Sequence, residues 1–236
     1  PVAGSEERCR SGRAAEGAQA LSWGQAFPRV RGKGGLAVLV GTPPWEVPQM
    51  GEEEYFAARA PSIAAMAGEK RKRAIAALEV DNPHLWRTYL TDCQRMEAVN
   101  TFFRESERFP LSAIGKLNTY SLFAETFAQL VSTHGRAGFI VPSGIATDDS
   151  TKKYFEAVSQ YRRLVALYSF ENEEFIFPAV HHAMKFCLMV IGGIDVAVGN
   201  SQFVNFARQV TSLYDARRRF TLAPEDFALI NPNTLT

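Results

Sequence analysis

The chain has 236 residues, of which 46% are hydrophobic and 22% are charged, and its formal net charge is +1. This length predicts one globular domain, or one domain plus an appendage, and the apolar content excludes disorder as a description of the whole chain. The near-zero charge gives no argument for a polyanionic partner, and no segment approaches the roughly 18 apolar residues that a membrane helix needs. We therefore expect a soluble, cytoplasmic protein.

The first 20 residues are rich in Gly, Ala, Arg, Glu and Ser and show no apolar period. This composition predicts a flexible lead or linker, and it lacks the apolar stretch of a secretory signal. The three cysteines, Cys9, Cys93 and Cys187, are far apart and form no CxxC pair. Their spacing favours reduced thiols over a disulfide framework or a structural zinc site.

The first predicted strand is the short apolar run at 36–40, which ends at Gly41 and two prolines. Its unbroken apolarity predicts burial on both faces, as in a parallel sheet. Helical signals follow over 51–79, where acidic residues come first, basic residues come last and Gly68 can split the segment. A further amphipathic helix is predicted over 83–104.

The second half alternates between the two kinds of element. A helix is predicted over 117–131, a buried strand over 139–141 and a helix capped by Thr147 or Asp148. Strands are then predicted at 164–170, 183–191 and 202–206. This order predicts an α/β fold with an open mixed sheet that ends in an antiparallel hairpin and carries helices on both faces. Ligands bind beyond the carboxyl ends of strands in such sheets, so the loops at 41–46 and 142–149 are candidate sites.

The first candidate loop contains Thr42-Pro43-Pro44-Trp45. Two prolines fix the backbone and remove two amide donors, which leaves rigid carbonyl acceptors beside a flat aromatic ring. This combination suits a planar ring that bears an amino group, such as a nucleobase. The alternative is a structural Pro-Pro turn in which Trp45 fills the core.

Six separate motifs, taken together and in their order along the chain, are typical of one protein family. They are VLVGTPPWE, GEEEYFAARAPSIAA, RESERFPLSAIGKLNTYSLFAE, GRAGFIVPSGIATDDSTKKYF, LYSFENEEFIFPAVHHAMKFCLMVIGG and RRRFTLAPEDFALINPNT. From about Leu21 to Thr236 the chain resembles the large adenine-specific DNA methyltransferases of restriction-modification and phage-defence systems, of the type IIG kind. The resemblance implies a partial Rossmann-like class I methyltransferase sheet. It also implies that 21–236 is the second half of the catalytic domain, without its cofactor-binding half or a target-recognition domain.

In that family the tetrapeptide is Asn-Pro-Pro followed by an aromatic residue. The resemblance implies that the Asn side chain and the first Pro carbonyl accept hydrogen bonds from the amino group of a flipped adenine, while the aromatic ring stacks on it. Here Pro43 would supply the carbonyl and Trp45 the stacking face, with Pro44 between them. Position 42 departs from the pattern, because Thr replaces Asn and a hydroxyl is shorter than an amide.

The resemblance also places a second aromatic, Phe177, on the opposite face of the base, although a core aromatic at the end of a strand is the alternative. It gives Pro142, Ser143 and Gly144 a role in lining the pocket.

The cofactor implied for the intact enzyme is S-adenosylmethionine. The family binds it through a Gly-rich strand-turn-helix and an acidic residue that precede the tetrapeptide. Only 41 residues precede Thr42, and they offer Gly32, Gly34 and Gly35 without a preceding strand. We therefore expect a fragment or truncated product of an adenine-N6 methyltransferase, with DNA and other subunits or domains as partners. The alternative is a non-catalytic nucleic-acid-binding or interaction module with a degenerate site.

Three other features give weaker signals. The pair His181-His182 suggests metal binding, but neighbours on a strand point to opposite faces and no further ligand stands at a suitable spacing, so no metal is expected. The basic runs at 70–73 and 217–219 either contact phosphates or are solvated. Asp148-Asp149 is either a catalytic carboxylate pair or a helix cap.

Overall fold

The computed structural model describes residues 26–32 and 34–230, and the flexible lead predicted at 1–20 lies outside them. The first half contains helices and one strand: α1 Pro28–Gly32, β1 Leu36–Gly41, α2 Glu52–Ala57, α3 Pro61–Ala64, α4 Gly68–Asp81 and α5 Pro83–Glu105. The second half contains α6 Thr119–Leu130, β2 Val131–Pro142, α7 Lys152–Gln160, β3 Leu164–Glu171, β4 Lys185–Gly192, β5 Ser201–Ala207, β6 Arg219–Leu222 and α8 Pro224–Ile230. None of the helices within this part of the chain is long and apolar enough to cross a membrane.

The strands form one six-stranded sheet in the order β1-β2-β4-β3-β5-β6. The pairs β1–β2 and β3–β5 are parallel, whereas β2–β4, β3–β4 and β5–β6 are antiparallel. The predicted α/β fold with a mixed open sheet and an antiparallel pair at its end is confirmed. The sequence patterns did not predict the short strand β6 or the helix α8.

One face of the sheet packs against α6, α7 and α8. Alternate residues of the central strands point to this side, including Phe139, Met189 and Leu167, each no more than 6% exposed. They meet Tyr154 of α7 and Phe227 of α8 in the largest buried cluster. Because successive side chains of a strand point to opposite faces, the intervening residues form a separate core on the other side.

That second core contains Phe170, Phe186 and Val204, packed with Trp45 and Phe177. A 3-10 helix over Val210–Tyr214 and irregular loops cover this face. The helices predicted for both faces are therefore distributed unequally in the described residues, with three α-helices on one side and one 3-10 helix packed into the core on the other.

The prediction that the first strand is buried on both faces is wrong. Within the described part of the sheet, β1 pairs only with β2 and so lies at the edge. Leu39 points towards the main core, but Val38 and Val40 point the other way and are 70% and 82% exposed. An apolar run predicts a strand correctly but does not reveal whether a neighbouring element covers it.

Helices α2 to α5 form a third, purely helical cluster around Phe56, which is fully buried. The chain divides at Gly68 as predicted, where φ is +55°, and it breaks once more after Ala57. Helix α5 begins where the side chain of Asn82 accepts a hydrogen bond from the Leu85 amide. The predicted apolar face of α5 is only partly covered, because none of its residues is fully buried.

A buried carboxylate fastens the loop between α5 and α6. Glu125, only 3% exposed, accepts hydrogen bonds from the amides of Leu111 and Ser112 and from the Ser112 hydroxyl. Burial raises the pKa of Glu125 above its ordinary value, and these hydrogen bonds offset part of that rise. The loop is thus anchored to α6.

Candidate functional site

Two segments that are remote in sequence form one apolar pocket of about 300 Å³. Thr42, Pro43 and Trp45 follow β1, whereas Phe177 and Val180 belong to the loop after β3. The pairing pattern shows that β1 and β3 run in the same direction, so their carboxyl ends lie on the same side of the sheet. The topology thus brings the two predicted aromatics together.

Trp45 is half-buried and fixed at both its polar and its apolar parts. Its indole Nε1 donates a hydrogen bond to the Ile140 carbonyl at 3.2 Å, and its ring centroid lies 6.4 Å from that of Phe186. The Phe177 ring contacts the Phe186 ring edge-on, with the two centroids 4.9 Å apart. Phe186 therefore supports both aromatic walls, and Trp45 combines the packing role and the pocket role that its sequence context allowed.

The loop that carries Phe177 is held by Asn172, which is fully buried. Its side-chain Nδ2 donates to the carbonyls of Phe177 and Val180 at 3.0 and 2.9 Å, and its Oδ1 accepts from the Phe177 amide at 3.0 Å. A single side chain thus satisfies three backbone groups in this wall of the pocket. The sequence offered one signal for this role, an Asn two positions after a predicted strand, where such side chains often bond to the nearby backbone.

The opposite wall is held by Thr119, the first residue of α6. Its hydroxyl lies 2.8 Å from the Pro44 carbonyl and accepts a hydrogen bond from the Glu46 amide at 2.9 Å. The Thr119 amide in turn donates to the Glu46 carbonyl at 2.8 Å. This contact joins residues about 73 positions apart, which is why local sequence patterns did not reveal it.

The two residues at the start of the tetrapeptide differ in their surroundings. Pro43 is buried and Thr42 is exposed. Within the described chain, no donor bonds to the Pro43 carbonyl and the Thr42 hydroxyl makes no hydrogen bond. Both oxygens belong to residues that line the pocket with Trp45 and Phe177, and both are unpaired among the described residues.

The remaining predicted site residues lie outside the pocket lining. The Pro44 carbonyl faces Thr119, as described above, and Pro142 ends β2, where its carbonyl lies 4.0 Å from the sulfur of Cys187. Ser143 and Gly144 form a 3-10 turn after that strand. The structure thus unites Thr42, Pro43, Trp45 and Phe177 and leaves these four apart.

The histidine pair lies in the loop before β4, so the expectation that it sits on a strand is wrong. His182 Nδ1 lies 3.2 Å from Glu173, and both side chains are about half exposed. Among the residues with described positions, no cluster of three or more His, Cys, Asp or Glu side chains stands close enough to hold a metal ion. Asp148 and Asp149 lie between the turn after β2 and α7, and neither caps a helix through its side chain.

The two basic runs are partly engaged in internal contacts. In the first, Arg71 bonds to Glu53 and to the Ala64 carbonyl. In the second, Arg217 bonds to Asp215, and this contact lowers the pKa of Asp215 to about 2. Phosphate contact by these runs remains a prediction.

The glycines before β1 do not form a cofactor cradle. A Cβ at Gly35 would lie 2.7 Å from the Leu130 carbonyl oxygen, so this glycine serves close packing against the start of β2. Moreover, β1 is the edge strand of the described sheet, and no neighbouring strand stands on its far side. The Gly-rich strand-turn-helix that the resemblance implies for S-adenosylmethionine is therefore not found among the described residues.

No protein-family model and no curated protein sequence matches the chain. Solved structures are similar at low identity. A class I S-adenosylmethionine-dependent methyltransferase from Listeria monocytogenes is 12% identical with a TM-score of 0.40, over 76% of this chain and 40% of that one. The type IIG restriction endonuclease BpuSI is 16% identical with a TM-score of 0.47, over 87% of this chain and 21% of that one.

A type I restriction-modification methyltransferase subunit from Streptococcus thermophilus is 10% identical with a TM-score of 0.42, over 58% of this chain and 33% of that one. The chain therefore spans less than half the length of each of these three proteins.

Proposed function

We propose that the chain forms the base-binding part of a DNA adenine-N6 methyltransferase of a restriction-modification or phage-defence system. One observation carries the proposal: Thr42, Pro43 and Trp45 line one pocket together with Phe177, which lies 132 positions after Trp45. The sequence motifs support it independently, because they occur in the family's order along the chain.

In this proposal the adenine lies against Trp45, and Phe177 bounds the other side of the pocket. The free carbonyl of Pro43 accepts a hydrogen bond from the exocyclic amino group, which keeps electron density on the nitrogen that reacts. Flipping the base out of the duplex is required to reach such a pocket. The described residues hold and orient the base; S-adenosylmethionine would supply the methyl group from a site outside them.

The first test measures binding of free adenosine by the chain. We expect Trp45→Ala to weaken this binding by about 1–3 kcal/mol, the usual value of one stacking contact. Tyr161→Ala is the matched control, because Tyr161 is an aromatic that is 75% exposed and lies outside the pocket. Equal affinity of the Trp45→Ala variant and the wild type would refute the proposed base site.

The second test uses the full-length protein that contains this chain and measures methyl transfer from labelled S-adenosylmethionine to adenine-containing DNA. We expect transfer that Trp45→Ala abolishes. A Thr42→Asn variant restores the family's amide and is expected to raise the rate, because an amide reaches further than a hydroxyl.

A second candidate is a nucleic-acid-binding module with a degenerate site. The observation that favours it is that Thr42 is exposed and that its hydroxyl has no hydrogen-bond partner among the described residues. This function predicts salt-sensitive DNA affinity without methyl transfer by either the wild type or the Thr42→Asn variant.

A further inference from the structure

A second cavity, of about 480 Å³, opens at the carboxyl ends of β3 and β5. Its volume lies within the range typical of small-molecule sites. The residues that line it differ from those of the pocket at Trp45 and include Glu171, Glu174, Phe206, Arg208, Gln209 and Arg218.

Phe206 presents an aromatic ring at this cavity in an unusual backbone conformation. Its φ is +55°, and the residue is 61% exposed. Strand β5 bulges there, because Tyr168 pairs with Val204 but Phe170 pairs with Ala207, which leaves β5 one extra residue. Bulges redirect side chains, and a bulky residue with positive φ is strained. Burial of the ring does not explain this strain, since most of the residue faces solvent.

Two basic side chains contact Phe206, one at its ring and one at its backbone carbonyl. The Lys185 ammonium lies 5.9 Å from the ring centroid, and the Arg218 guanidinium makes one hydrogen bond in the described chain, at 3.4 Å to the Phe206 carbonyl. Glu171 forms ion pairs with Arg208 at 3.0 Å and with Lys185 at 3.8 Å. Glu174 accepts a hydrogen bond from Gln209. Three cations therefore face two carboxylates, and Arg218 retains free donors.

We propose that this cavity is a subsite for a nucleotide that flanks the flipped base, with its base stacked on Phe206 and its phosphate at Arg218. Aromatic stacking accepts any base, and a guanidinium suits a phosphate in charge and geometry. The subsite rests on the proposed function. Glu174 and Phe177 are three positions apart, so their Cα atoms are separated by at most about 11 Å. A few nucleotides span this distance, because successive nucleotides rise about 3.4 Å.

The test measures binding of a short labelled single-stranded oligodeoxynucleotide to the chain by fluorescence anisotropy. Phe206→Gly is expected to weaken binding at least about fivefold. It should not lower the midpoint of thermal unfolding, because glycine adopts a positive φ without strain. If Phe206 had only a structural role, Phe206→Gly would lower both the oligonucleotide affinity and the midpoint of thermal unfolding.

Arg218→Gln is expected to weaken binding and to reduce the slope of log affinity against log salt by about one phosphate contact. Arg87→Gln is the matched control, because Arg87 is also exposed and also bonds to a backbone carbonyl, that of Pro83. Tyr161→Ala controls for the loss of an exposed ring. Wild-type affinity in the Phe206 and Arg218 variants, or equal losses in the controls, would overturn the subsite.

Binding of free adenosine, measured in parallel, separates the two proposals. Phe206→Gly should leave adenosine affinity unchanged, whereas Trp45→Ala should lower it. If oligonucleotide binding depends on Phe206 but adenosine does not bind, the subsite stands and the proposed base pocket fails. If adenosine binding depends on Trp45 while Phe206→Gly changes nothing, the pocket stands and the subsite fails.

Discussion

At the scale of single residues, Asn172 holds one wall of the pocket in place through its side-chain amide. Replacing it by Ala leaves two carbonyls and one amide of the loop without their buried partner. We expect Asn172→Ala to lower the free energy of unfolding by about 1–3 kcal/mol in urea titration and to weaken adenosine binding. Asn200→Ala, at an exposed turn position, should change neither quantity. Unchanged adenosine affinity in Asn172→Ala would show that the loop carrying Phe177 keeps its position without this side chain.

Glu125 gives a prediction about pH. Its pKa in the folded state is raised, mainly by burial, so folding favours the protonated form. The contribution of this group to stability is therefore fully present below its unfolded pKa and is lost as the pH rises through the higher folded pKa. We expect the free energy of unfolding of the wild type to fall over this window relative to Glu125→Gln, which does not titrate. Parallel pH profiles of the two proteins would contradict the assignment.

At the scale of elements, the start of α6 holds the end of β1 in place. Thr119→Val keeps the shape of the side chain but removes the hydroxyl that contacts the Pro44 carbonyl and the Glu46 amide. We expect a loss of about 1 kcal/mol in the free energy of unfolding and weaker adenosine binding. Thr91→Val is the matched control, because its hydroxyl bonds only within its own helix, to the Arg87 carbonyl. If Thr119→Val and Thr91→Val changed adenosine binding equally, Thr119 would have no specific role in positioning the pocket.

Sequence patterns predicted the elements better than their surroundings. Five strands and the main helices were predictable, because continuous apolar runs and helical spacing are local signals. The exposure of Val38 and Val40 was not, since it depends on which strand lies beside β1. The pairing of Trp45 with Phe177 was predicted through the family resemblance. The role of Phe186 depends on contacts that only the folded sheet creates. The bonds of Asn172 are local, at most eight positions apart, but which backbone groups they reach depends on the folded loop.

At the scale of the whole molecule, Cys187 reports on the integrity of the main core. It is fully buried on β4, and burial raises the pKa of its thiol to about 12. Because the thiolate is the reactive form, we expect alkylation in a Cys9→Ser, Cys93→Ser background to proceed only through unfolding. The labelling rate should then rise with urea as global unfolding does. Rapid labelling in native buffer would instead indicate local opening around β4.

Among the described residues, β1 has one backbone edge without a partner, and this edge affects how the chain behaves at high concentration. Strands at sheet edges usually carry charges or prolines that discourage pairing with other molecules, but the run from Leu36 to Gly41 has neither. Its outward-facing valines and unpaired backbone offer a template on which copies can stack into intermolecular sheets. Purification of the chain should therefore favour dilute solutions, and a single lysine at position 38 or 40 is the smallest change expected to keep it from precipitating.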